Sequence, residues 1–99
     1  MRIRYRYRKN EKLFDQPCQS VVLGRPRHGV HIDIDLTPDL RVSRPHARIS
    51  IADGHYWIED LNSANGTYVN RTRVYPGQKR PLAVNDVVQI GNVQMKVLA

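Results

Sequence analysis

"RISIADGHYWIED", residues Arg48 to Asp60, sets Ile49 and Ile51 in alternation with Arg48 and Ser50, breaks at Asp53-Gly54, and resumes as a second run. A period of two marks a strand with one face buried. Asp-Gly between two such runs is a strong hairpin signal, because glycine tolerates the positive φ of a type I′ turn. The segment therefore reads as two antiparallel strands. "VVQIGNVQMKVL" repeats the design: Val88 and Ile90 lead into Gly91-Asn92, and Val93, Met95 and Val97 follow.

Outward from these hairpins, turn signals recur at Arg27-His28-Gly29, Thr37-Pro38-Asp39, Asn65-Gly66 and Pro76-Gly77, at intervals suited to short strands. No long segment carries a capped helical stripe. The expected fold is all-β, an antiparallel β-sandwich of short strands with its binding loops at one end. At the start of the chain Arg2, Arg4, Arg6 and Arg8 alternate with Ile3, Tyr5 and Tyr7. This reads as a further strand, whose basic, solvated face would guard a sheet edge against aggregation.

Ninety-nine residues make one domain, taken as 1–99, and the last strand runs into the C-terminus as in a module cut from a longer protein. The apolar fraction of 40% is that of a globular chain rather than a disordered one. No apolar run approaches the roughly 20 residues of a membrane span, and the basic start lacks a signal peptide's apolar core. The expectation is a cytoplasmic protein without membrane contact. Cys18 stands alone, so it has no internal disulfide partner and no second thiol for a zinc site. A net charge of +7 implies attraction to something negative, without choosing among nucleic acid, anionic lipid and phosphorylated protein.

The chemistry concentrates around "VSRPHARIS", Val42 to Ser50. Ser43 and His46 invite comparison with a nucleophile and its base. In an extended strand, however, these positions face opposite sides, and no third group stands by to orient the base. His28, His31, His46 and His55 are scattered and lack metal-ligand spacing. Asp33, Asp35 and Asp39 sit in a turn-rich loop between strands, where their expected work is to hydrogen-bond local backbone. No catalysis, metal or cofactor is expected. An anion seat fits better, because Gly24-Arg25, Ser43-Arg44 and the loop of "LNSANGTYVN" would gather at one end of a sandwich. There a guanidinium fork, a hydroxyl and a side-chain amide suit a phosphate dianion beside a peptide main chain.

Taken together, Gly24-Arg25, Asp33-Ile34-x-Leu36, Ser43-Arg44-x-His46-Ala47 and Asp60-Leu61 followed by Ser63-x-Asn65-Gly66-Thr67 resemble the forkhead-associated (FHA) domain, a phosphothreonine-reading β-sandwich. The closing "PLAVNDVVQIGN" is similar to the family's last hairpin, and the motif-bearing core runs from about residue 20 to 98. The resemblance implies that Arg25 and Ser43 grip the phosphate, that Arg44 flanks it, and that Asn65 bonds the peptide main chain. It implies structural support from Gly24, His46, Gly66 and Thr67. Ala64 stands where many relatives carry a hydroxyl on the phosphate, and Asn85 where glycine is usual.

Arg41, two residues before Ser43 on the same face of an extended run, is expected to overlook the peptide after the phosphothreonine and to favour Asp or Glu there. The expected partner is thus a Thr-phosphorylated protein or peptide. Two other functions remain open. One is a single-stranded nucleic-acid domain using the strip from Arg2 to Lys9, with Tyr5 and Tyr7 as stacking surfaces, although alternation puts rings and charges on opposite faces. The other is a phosphate-independent assembly module, which only Ala64 favours.

Overall fold

A computed structural model describes residues 1–98. The described residues form eleven strands, most of them with one apolar face: β1 (Arg2–Tyr7), β2 (Asn10–Asp15), β3 (Ser20–Gly24), β4 (Ile34–Asp35), β5 (Ala47–Ala52), β6 (His55–Asp60), β7 (Thr67–Val69), β8 (Thr72–Val74), β9 (Lys79–Leu82), β10 (Val88–Ile90) and β11 (Val93–Leu98). They form a six-stranded sheet in the order β2-β1-β11-β10-β7-β8 and a five-stranded sheet in the order β4-β3-β5-β6-β9. All pairings are antiparallel except β3 with β4. The β-sandwich expected from the turn spacing is the observed fold.

Both hairpins read from the sequence are present. Ile49 pairs with Ile58 across β5 and β6, and Val88 with Met95 across β10 and β11. The inner faces meet in one core, in which Ile3, Leu23, Ile49, Ile58, Ile90 and Val97 are buried. Each such side chain contributes about 1.5–3 kcal/mol by leaving water, which offsets the entropy of ordering a chain made largely of short strands. No helix long and apolar enough to cross a membrane occurs among the described residues.

Two local expectations are corrected. β1 is not an edge strand: it lies between β11 and β2, and the edge is β2. The turn before β2 forms at Arg8, which takes a positive φ of 57°. In addition, Val42–His46 is not extended. It belongs to the long connection from β4 to β5, because Pro38, Asp39 and Pro45 interrupt the ladder that the surrounding pattern mimics. Ser43 and His46 are therefore free to approach one another, and Arg41 and Ser43 do not share a strand face.

Candidate functional site

The end of β3 meets the β4–β5 connection at backbone distance. The Arg25 N–H donates to the Ser43 carbonyl at 3.0 Å, the His46 N–H to Leu23 at 2.9 Å and the Leu36 N–H to Gly24 at 2.8 Å. So close an approach leaves no space for a side chain at position 24. A Cβ there would stand 2.8 Å from the Ser43 carbonyl oxygen and 2.9 Å from the His46 nitrogen. The Arg25 guanidinium turns back over the same loop, its Nε donating to the Val42 carbonyl at 2.6 Å. Its remaining N–H groups are left for a further acceptor.

His46 is fully buried and binds two loops at once. Its Nδ1 accepts the Ser43 N–H at 2.9 Å, so the ring proton resides on Nε2, which donates to the Gly66 carbonyl at 2.8 Å. Burial pushes the His46 pKa below its ordinary 6.5, against the Gly66 hydrogen bond and the Asp60 and Asp39 charges that act to raise it. A neutral ring is what this double role needs, since a second ring proton would displace the Ser43 N–H.

Across the gap, the Ala64 N–H donates to Ser43 Oγ at 2.9 Å. That contact fixes the hydroxyl through its oxygen and leaves its proton without an acceptor among the described residues. The Asn65 amide donates from Nδ2 to the Arg41 carbonyl at 2.8 Å, which leaves its own oxygen open. Gly66 takes a φ of 89°, a conformation that costs glycine little.

Two buried carboxylates hold this arrangement from behind. Asp60 accepts the Ser63 N–H at 3.0 Å, the Ser63 hydroxyl, and the Thr67 hydroxyl at 2.7 Å; Ser63 Oγ in turn accepts the Gly66 N–H at 3.0 Å. Burial alone would raise the Asp60 pKa, but these hydrogen bonds and nearby His46 outweigh it and hold the carboxyl below its ordinary value. Asp39 accepts the Arg41 N–H at 3.0 Å and the Asn92 N–H at 2.6 Å, pinning the β4–β5 connection to the turn between β10 and β11.

The model of the FHA domain family matches residues 21–91 of the chain. The chain belongs to the FHA family. The domain is 39% identical over 87 residues to the glycogen accumulation regulator GarA of Mycolicibacterium smegmatis, covering 87% of this chain and 49% of GarA. It is 38% identical over 88 residues to the oxoglutarate dehydrogenase inhibitor of Corynebacterium efficiens, covering 88% of this chain and 55% of that protein. A solved FHA domain whose interactions are phosphothreonine-dependent aligns at 27% identity and a TM-score of 0.73, over all of this chain and 97% of that one. This FHA domain spans 27% to 55% of the length of the first curated relatives it matches.

Of the residues singled out in the sequence, Arg25, Ser43 and Asn65 lie on loops that the structure joins directly to one another. Gly24, His46, Gly66 and Thr67 lie behind them. Arg41 and Arg44 are exposed on the connecting loop. Asp35 and Asp39 accept local backbone hydrogen bonds as expected, although Asp35 lies in β4 rather than in a loop, whereas Asp33 accepts the N–H of Val22 in β3, a non-local partner. Asp39 does more than a local turn former: its partner Asn92 lies 53 residues away, and no sequence pattern marks that pairing. The Ala64 contact has no side-chain signature either, because its donor is the backbone N–H. Tyr5 and Tyr7 are partly buried against the core, and the Tyr7 hydroxyl donates to the Pro38 carbonyl at 3.2 Å.

Proposed function

We propose that this FHA domain, a phosphothreonine-dependent protein-binding module by family, seats the phosphate between Arg25 and Ser43. Arg44 flanks it and Asn65 holds the peptide main chain. The observation that carries the reading is the pairing of donors: a guanidinium already aligned by the Val42 carbonyl, and a serine hydroxyl whose oxygen is engaged by Ala64 so that its proton is free. Charge-assisted hydrogen bonds of this kind contribute roughly 1.5–3 kcal/mol each. The buried carboxylates are saturated by internal donors, so the rim presents Arg25, Arg41 and Arg44 to an incoming anion.

Residues 1–99 act as a single recognition unit. It catalyses nothing, since the one buried histidine has both nitrogens committed to the scaffold. It needs no metal or cofactor, because the ligand's own charge completes the site. The partner is a Thr-phosphorylated protein with acidic residues after the phosphothreonine, met in the cytoplasm. Calorimetric titration with matched phosphothreonine, phosphoserine and unmodified peptides from a library hit, alongside a single-stranded oligonucleotide, tests this. A micromolar complex needs about −8 kcal/mol, so Arg25→Ala should weaken phosphopeptide binding tens-fold or more. Equal binding of phosphorylated and unmodified peptides, or tight oligonucleotide binding indifferent to Arg25, would overturn the proposal.

A further inference from the structure

The outer face of the six-stranded sheet carries a second concentration of cations away from the phosphate loops. Strand register places Arg6, Gln94, Gln89, Tyr68 and Arg73 in one row across β1, β11, β10, β7 and β8. In the neighbouring row Arg4 stands directly opposite Lys96. Like charges facing each other across a ladder destabilise a sheet. Here the only relief is partial: Arg2 meets Asp15 and Arg4 meets Glu11, both at 3.5 Å on exposed side chains, whereas Arg6 and Lys96 have no carboxylate at ion-pair distance among the described residues. Arg4, Arg6, Gln94 and Lys96 line an open groove of about 300 Å³, together with Glu11, which is paired to Arg4.

This face is continuous with the loops that hold the peptide. A Cβ at Gly66 would lie 3.1 Å from Arg73 Nε and 3.2 Å from the Tyr68 ring, so the row begins immediately behind Asn65-Gly66. From β8 to β1 it crosses four strand spacings, about 19 Å, which an extended segment of about six residues spans. Nucleic acid suits the face less well than protein does. Tyr68 is the one ring in the row, whereas single-strand binding relies on successive stacked bases. Half-exposed Leu13 on the same face gives a protein segment apolar area as well.

We propose that this sheet face binds an acidic stretch of the same chain that presents the phosphothreonine, so that the partner is held at two points. The inference rests on the phosphothreonine reading of the loops. The second contact becomes intramolecular once the phosphate is seated, which multiplies affinity without any change in the loops. It also steers encounter, with a steeper dependence on salt than the phosphate grip has alone.

The test uses three synthetic peptides built on one phosphothreonine core: the core alone, the core with a flexible linker and six Asp or Glu residues upstream, and the same extension downstream. At low salt one extended peptide should bind about tenfold tighter than the core, and the gain should disappear as ionic strength shortens the screening length. Amide shifts should appear at Gln89, Gln94 and Lys96 only with that peptide. Arg4→Glu/Arg6→Glu/Lys96→Glu should abolish the gain and leave core affinity unchanged; Arg4→Gln/Arg6→Gln/Lys96→Gln gives the same comparison if charge reversal disturbs the sheet. No gain with either extension, while the core still binds in an Arg25-dependent way, overturns the second contact and leaves the first intact. Loss of core binding itself would sink the phosphothreonine reading instead. An oligonucleotide that occupies the face more tightly than the acidic extensions would assign it to nucleic acid and end the proposal.

Discussion

At the scale of single residues, the loops of the candidate site are held by buried side chains behind its rim. His46 supplies the hydrogen bonds that fix the Ser43 N–H and the Gly66 carbonyl, so His46→Ala leaves one buried and one part-buried backbone group unpaired, the buried one at roughly 1–3 kcal/mol. It should lower both the melting temperature and the phosphopeptide affinity; thermal melts and titrations on one preparation check the pairing, and lost binding with normal stability would make His46 a direct contact. Arg41 has the opposite character. Its main chain is tied at both ends, by Asp39 and Asn65, while its side chain is exposed. An exposed ion pair is worth at most about 1 kcal/mol, so any acidic preference after the phosphothreonine should be several-fold. In a peptide array, Arg41→Glu should erase that preference with little change in stability, and an unchanged profile would remove Arg41 from the specificity surface.

At the scale of elements, the hairpins were legible because alternation and an Asp-Gly or Gly-Asn turn say the same thing about β5–β6 and β10–β11. β2 was not, because "NEKLFD" is mostly exposed on both faces and its turn uses Arg8 at positive φ, a residue without turn preference. The β4–β5 connection differs for the converse reason: Val42 and His46 are buried like strand residues, but Val42 lies beside Gly91 of the β10–β11 turn and His46 is bonded to Leu23 and to Gly66. The candidate site residues stand out in the sequence by their motifs, whereas the hydrogen bonds that lock their loops together are non-local. Gly24 shows the difference. As a letter it is a turn glycine, but in the fold it is the floor on which the Ser43–His46 loop rests. Gly24→Ala puts a methyl within 3 Å of backbone atoms that have nowhere to move. Overpacking of this kind costs typically 1–3 kcal/mol, and the displaced loop should carry Ser43 out of register with Arg25. Melting and titration should both decline; undiminished affinity would mean the loop tolerates a shift of its floor.

At the scale of the whole molecule, the same buried groups set the response to pH. Both His46 and Asp60 titrate below their ordinary values in the fold. The unfolded chain therefore takes up protons first as pH falls, and the stability each group contributes is present above its unfolded value and lost on the way down to its folded one. Melting temperature should be level near neutrality, decline as pH drops below about 6.5, the ordinary histidine value, and decline again below 3.8, the ordinary aspartate value. His46→Asn should flatten the first decline and Asp60→Asn the second, and a profile insensitive to both would contradict the network. The turn at Asp53-Gly54 has a different use. It is exposed, with nothing within 4 Å of a Cβ built on Gly54, and it divides the chain so that Arg25, Ser43 and His46 fall on one side and Ala64, Asn65 and Gly66 on the other. A nick there would yield two fragments, neither of which owns a complete recognition surface. Phosphopeptide capture by the mixture would then report their reassociation, making the domain a split sensor whose signal appears only when the two pieces find each other.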